Sequence, residues 1–175
     1  SPFDSFLTLR GLRTLDARMR VHQENAAAIA ALLDGHAAVG KVYFPGLESH
    51  PGHAVAARQQ AGFGAMLSFE LAAGPDGDTE RAVRAFVDSL RWFTLAESLG
   101  GVESLVAHPA TMTHAAMSAE ARAKAGISDG LLRLSIGIEA CADLVADVST
   151  ALRAAQLAAA PAPAQAVPVN ERVHA

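Results

Sequence analysis

Apolar residues recur at helical spacing through positions 4–34: Phe6, Leu9, Leu12, Leu15 and Met19, then Ala26, Ile29, Leu32 and Leu33. This period predicts one long helix, or two in near continuity, because Gly11 interrupts the early stretch and Gly35 stands where a C-cap glycine would end it. Residues 39–44 alternate and are rich in β-formers, so a strand is expected there, closed by Pro45-Gly46. A loop over 47–52 leads to a short helix over 53–61, stopped by Gly62. Residues 64–72 carry the clearest strand signal, with Ala65, Leu67, Phe69 and Leu71 on one face and Met66, Ser68 and Glu70 on the other.

After a turn at 74–77, Asp78 or Thr79 is expected to cap a helix reaching about residue 90, its buried stripe being Ala82, Val83, Phe86 and Leu90. Residues 93–98 look irregular, Gly100-Gly101 follows, and a short alternating run covers 102–106. A polar loop comes after His108-Pro109, and Ser118 opens another helix. Residues 131–136 alternate as a strand, and an amphipathic helix runs from about 142 to 157. Residues 158–175 form an Ala/Pro/Val-rich tail with little reason to pack. The order predicts an α+β fold: a mainly antiparallel sheet with helices on one face, preceded by a long helix.

Composition narrows this further. A chain of 175 residues is one domain by length. A net charge of -4 with no cationic run gives no reason to expect nucleic acid or an anionic membrane as partner. One cysteine, Cys141, excludes an internal disulfide and fits a reducing cytoplasm. No stretch reaches the roughly 18 apolar residues of a membrane span. The start, Ser1-Pro2-Phe3-Asp4, has neither an initiator Met nor the basic and apolar regions of a signal peptide, so the chain is expected to be the middle of a longer protein.

Several residues could carry chemistry. On the strand at 131–136, Leu132, Leu134 and Ile136 share one face, so Arg133 and Ser135 point to the other. A guanidinium in an apolar strand needs a partner. It either pairs with an acid such as Glu139 or Glu97, or forms a fork that grips a ligand carboxylate. Glu97-Ser98-Leu99-Gly100-Gly101 is either a plain loop or a site of close backbone approach to a ligand. Thr113, between Met112 and His114, has the setting of a turn or capping residue. The seven histidines lack metal-ligand spacing, and one cysteine is too few for structural zinc, so no metal is expected. There is no Walker-type phosphate loop and no GxGxxG. Cys141 has no activating base nearby and is expected to be a small buried residue. Arg10 and Arg13 suit a solvated helix face.

Longer motifs say more. Residues 93–105, built on Phe93-Thr94-Leu95-Ala96-Glu97-Ser98-Leu99-Gly100-Gly101, resemble the Cys/Met-metabolism enzymes dependent on pyridoxal phosphate (PLP), of fold type I. So do His108-Pro109-Ala110-Thr111-Met112-Thr113-His114 and the stretch from Gly126-Ile127-Ser128-Asp129 to Leu132-Arg133-Leu134-Ser135-Ile136-Gly137-Ile138-Glu139. Upstream, Leu9-Arg10-Gly11-Leu12-Arg13-Thr14-Leu15, Tyr43-Phe44-Pro45-Gly46-Leu47 and residues 59–69 are similar to the same family in the same order. The resemblance covers residues 1 to about 155 and looks closest to the cystathionine γ-synthase branch.

It implies a C-terminal small domain of a fold-type I transferase. Residues 1–34 would link to a large cofactor domain upstream, residues 35–157 would form the α+β substrate-carboxylate domain, and 158–175 would be an appended tail. It also implies that Arg133 binds the substrate α-carboxylate, helped by Ser98 and Thr113. Glu97 and Leu99 would line the substrate site, Glu97 contributing to side-chain selectivity, and Ser98 would act catalytically beside the cofactor lysine. The expected reaction is replacement of the acyloxy group of an O-acylhomoserine by cysteine, with cystathionine γ-lyase or homoserine sulfhydrylase chemistry as alternatives. Expected partners are these amino-acid substrates, the N-terminal portion of the same enzyme, and further copies in a homotetramer. The departure from the family pattern is plain: neither Lys41 nor Lys124 stands in the setting of the family's Schiff-base lysine, so no cofactor-binding residue is assigned. A non-catalytic α+β module binding a small molecule or protein remains open as a reading of another class.

Overall fold

The computed structural model describes residues 1–75 and 77–160. The opening period resolves into two helices, α1 Pro2–Leu12 and α2 Leu15–Asp34. Ser1 caps α1 by accepting the Asp4 amide at 3.2 Å, and Pro2 occupies the first turn, where its missing N–H costs nothing. The two helices have different fates. No residue of α1 is buried, and its Phe3, Phe6, Leu9 and Leu12 are exposed. In α2, Ala26, Ile29, Ala30 and Leu33 enter the core.

The remaining elements are β1 Val39–Tyr43, α3 His53–Gln59, β2 Met66–Leu71, α4 Glu80–Ser89, β3 Thr94–Leu95, β4 Leu105–Ala107, α5 Ala119–Lys124, β5 Leu131–Ser135 and α6 Cys141–Ala159. They build a sheet of order β1-β2-β5-β4-β3. Every pairing is antiparallel except β3 with β4. Leu67, Phe69 and Leu71 of β2, Leu132 and Leu134 of β5, and Val106 of β4 pack with α2, α4 and α6 in one core. Full burial of each such side chain is worth about 1.5–3 kcal/mol, which makes this layer the main stabilising element. The alternation expected for β2 and β5 holds, and the opposite face of the sheet carries Lys41, Tyr43, Glu70, Arg133 and Ser135.

The structure differs from expectation in several places. The run at 102–106 is strand only from Leu105, because Val102 and its neighbours form a loop. The irregular stretch at 93–98 contains β3, which pairs in parallel with β4. Helix α4 has Thr79 at its N-cap without a side-chain bond, and Asp78 instead accepts the Glu80 amide at 2.8 Å. Helix α6 extends to Ala159, so Ala158 and Ala159 belong to it and not to a tail. Residues 161–175 of the expected tail, and Asp76 of the expected turn, lie outside the described residues.

Candidate functional site

The site grows from the parity of β5. Because Leu132, Leu134 and Ile136 are all buried against helices, Arg133 and Ser135 must project from the open face. The parallel pairing of β3 with β4 supplies their partner. Two neighbouring parallel strands run the same way, so the chain leaving β3 must travel back before entering β4. Residues 96–104 make that return over the open face of β5.

There the loop is tied down backbone first. Arg133 donates from Nη2 to the carbonyl oxygens of Glu97 at 2.9 Å and Ser98 at 3.1 Å. Ser135, 2% exposed, accepts the Gly100 amide at 2.9 Å. Gly100 has φ +78°, a conformation that side chains with a Cβ rarely adopt. Arg133 is therefore paired with neither Glu97 nor Glu139 through a carboxylate. Its Nε and Nη1 make no hydrogen bond to the described residues, so their N–H groups stay open to a ligand.

Glu139 is committed elsewhere. Its carboxylate accepts the Ser104 amide at 2.7 Å and the Ser104 hydroxyl at 2.8 Å. The same Ser104 hydroxyl oxygen accepts the Gly137 amide at 2.8 Å. From α2, Asn25 donates to the carbonyls of Gly137 and Glu139 at 3.0 and 2.9 Å, and His22 Nδ1 donates to the Ile136 carbonyl at 2.6 Å. Ser104, Asn25 and His22 are all buried.

Of the residues singled out from sequence, Arg133, Glu97 and Ser98 come together. The side chains of Glu97, Ser98 and Leu99 are exposed, Leu99 at 54%. Thr113 lies in the loop after β4, exposed, its hydroxyl paired with His114 Nδ1 at 2.7 Å and with neither Arg133 nor Ser98. Cys141, expected to be buried, is exposed at the first position of α6. Among the described residues no three His, Cys, Asp or Glu side chains form a group able to hold a metal, and no helix is long and apolar enough to cross a membrane. Ser135, Ser104 and Asn25 were missed. Only the face parity of β5 hinted at Ser135, and Ser104 and Asn25 lie far from each other in sequence.

The chain is similar to known proteins in sequence and fold. The family model for Cys/Met metabolism PLP-dependent enzymes matches residues 1–153. Cystathionine γ-synthase of Escherichia coli (strain K12) is 60% identical over 153 residues, covering 87% of this chain and 38% of the relative. A crystal structure of cystathionine γ-synthase from Xanthomonas oryzae pv. oryzae, in complex with aminoacrylate and cysteine, is 75% identical at a TM-score of 0.82, covering 90% of this chain and 40% of that one. A cystathionine γ-lyase from Lactobacillus plantarum, complexed with L-serine, is 45% identical at a TM-score of 0.80, with 89% and 39% covered. The chain thus spans about two fifths of the length of the relatives it matches. With the family model matching nearly the whole of the described fold, the chain belongs to the Cys/Met metabolism PLP-dependent enzymes.

Proposed function

We propose that the chain is the C-terminal, substrate-carboxylate part of a cystathionine γ-synthase, which replaces the acyloxy group of an O-acylhomoserine by the sulfur of cysteine. The observation that carries this is Arg133: Nη2 is spent on the Glu97 and Ser98 carbonyls, and the N–H groups of Nε and Nη1 have no partner among the described residues. Nε and Nη1 lie on different edges of the guanidinium, so each offers a carboxylate oxygen a single charge-assisted hydrogen bond. Holding the carboxylate fixes the rotation of the substrate's Cα substituents and so selects which bond faces the reacting group. Ser98 would stand next to that carboxylate as the catalytic hydroxyl, with Glu97 and Leu99 lining the substrate side chain. Thr113 would join only after a change in its loop, since its hydroxyl is held by His114 here.

PLP is the family's cofactor and, when bound, supplies an electron sink for charge at Cα. The chain's own residues do not fit as its anchor. Lys41 lies on the edge strand β1, its Nζ 4.6 Å from the centroid of the Tyr43 ring, and Lys124 is exposed at the end of α5. We assign the cofactor to the N-terminal portion of the enzyme. A homotetramer in the cytoplasm is the accompanying proposal.

The γ-lyase alternative is favoured by the likeness to the Lactobacillus plantarum enzyme. Substrate competition on the complete enzyme separates the two: a synthase consumes O-succinylhomoserine with cysteine, whereas a lyase releases cysteine from cystathionine. The carboxylate role is tested by Arg133→Lys. A point-charge ammonium cannot bond the loop carbonyls and a carboxylate from one planar group, so kcat/KM is expected to fall by about 100-fold or more, equivalent to roughly 3 kcal/mol. An unchanged kcat/KM refutes the role.

A further inference from the structure

Resting on the carboxylate role of Arg133, we propose that Ser104 and Glu139 are positioning residues that set the geometry of that site through the 97–104 loop. The loop is tied to one stretch of chain, residues 133–139, at successive points. Arg133 holds Glu97 and Ser98, Ser135 holds Gly100, Ile138 donates to the Val102 carbonyl at 2.9 Å, and Glu139 and Gly137 hold Ser104. Most of these ties involve one hydrogen bond. At Ser104 there are three: its amide and hydroxyl both donate to the Glu139 carboxylate, and its oxygen accepts from Gly137.

Three features mark this cluster as a built anchor. Ser104 is fully buried, so leaving its hydroxyl without partners would be costly. A carboxylate acceptor makes two of the bonds charge-assisted. Packing also demands a close approach here, since a Cβ on Gly137 would lie 2.4 Å from the Val102 oxygen and 2.7 Å from the Glu103 carbonyl carbon. The anchor is itself held from α2 by Asn25, which bonds the carbonyls on both sides of Ile138.

The link to substrate runs through Arg133. Its Nη2 bonds the same loop that Ser104 anchors, so the direction of its unspent N–H groups follows the loop. Releasing the Ser104 end lets Glu97 and Ser98 drift, and a shift of about 1 Å is enough to misalign the guanidinium's hydrogen bonds to a carboxylate. Neither Ser104 nor Glu139 need touch the substrate.

The experiment uses the complete enzyme with its cofactor and two probes, L-homoserine and 3-aminopropan-1-ol. The second is the first without its carboxylate. Dissociation constants are read from the change in cofactor absorbance, with circular dichroism and melting temperature recorded for each variant. Ser104→Ala and Glu139→Gln are expected to weaken homoserine binding about tenfold while leaving 3-aminopropan-1-ol within twofold. Arg133→Ala should erase the preference for homoserine altogether. If Ser104→Ala is unstable, Glu139→Gln, which keeps size and one acceptor, carries the test alone. Equal weakening of both probes, or no weakening of either, overturns the positioning role. A preference that survives Arg133→Ala overturns the carboxylate site itself, a distinct outcome.

Discussion

Arg133 and Ser135, two residues apart on one face of β5, hold the same loop through opposite chemistry. The guanidinium donates to the carbonyls of Glu97 and Ser98, and the hydroxyl accepts the amide of Gly100. Because each of these bonds goes to the backbone, the side chains of Glu97, Ser98 and Leu99 are left free, and all three are exposed. A strand with one buried face thus presents three consecutive loop side chains without spending any of them on structure.

Gly100 should be intolerant of a side chain for a reason distinct from crowding. Nothing lies within 4 Å of a Cβ built there, yet its φ is +78°. Gly100→Ala is expected to cost about 1 kcal/mol from backbone strain alone. Urea denaturation should show a lower midpoint with an unchanged slope. An alanine variant as stable as the parent would show that the loop relaxes freely.

Tyr43 gives a pH signature. It donates to Glu70, whose other oxygen accepts from Ser128 at 3.1 Å. That hydrogen bond, with burial and the negative charge of Glu70, pushes the phenol up to about 12 from its usual 10.0. The native state therefore holds the phenolic proton more tightly than the unfolded chain. The resulting stability is complete below about pH 10 and is lost as the pH rises towards 12. Tyr43 is the only tyrosine, so phenolate absorbance reports it directly. In Glu70→Ala the midpoint should move down towards 10; a midpoint that stays near 12 would show that Glu70 is not the cause.

Asp147 is a buried carboxylate, 6% exposed, that accepts the Arg91 amide at 3.0 and 3.1 Å and the Trp92 amide at 2.9 Å. It fastens the segment after α4 to α6. Asp147→Ala strands two amides and should destabilise the fold by about 1–3 kcal/mol. The only tryptophan is Trp92, 50% exposed. Its emission should shift to the red as that segment loosens, and an unaltered spectrum and melting temperature would contradict the role of Asp147.

The 175-residue chain mixed with PLP should gain no visible absorbance that Lys41→Ala removes. Lys41 is on the edge strand and stacked over Tyr43, and Lys124 sits in the last turn of α5. A band that disappears in Lys41→Ala would place the cofactor on this chain.

Much of the fold was legible because local patterns and burial agree. The alternation in β2 and β5, the stripe Ala82-Val83-Phe86 of α4 and the Ser118 cap each follow from periods of two or 3.6 residues acting over short distances. Helix α1 shows the limit of such patterns. Its apolar residues Phe6, Leu9 and Leu12 keep a helical period, yet none is buried here, since a period states which side would pack and not whether anything covers it.

The motif carrying Glu97 to Gly101 and the strand carrying Arg133 could be read from the chain order, and so could the family they resemble. What sequence left open was the partner of Arg133, because an acid and a main-chain carbonyl are equally able to accept from a guanidinium. That choice fell to the parallel pairing of β3 with β4, a contact with no signature in two residues of strand. Packing likewise set Glu139 beside Ser104, 35 residues earlier, whereas the Thr113 hydroxyl pairs with its neighbour along the chain, His114. Periodicity is a property of neighbours along the chain and survives without the fold. The bond that a long, flexible side chain makes depends on which backbone is laid beside it, and here only the packed sheet determines that.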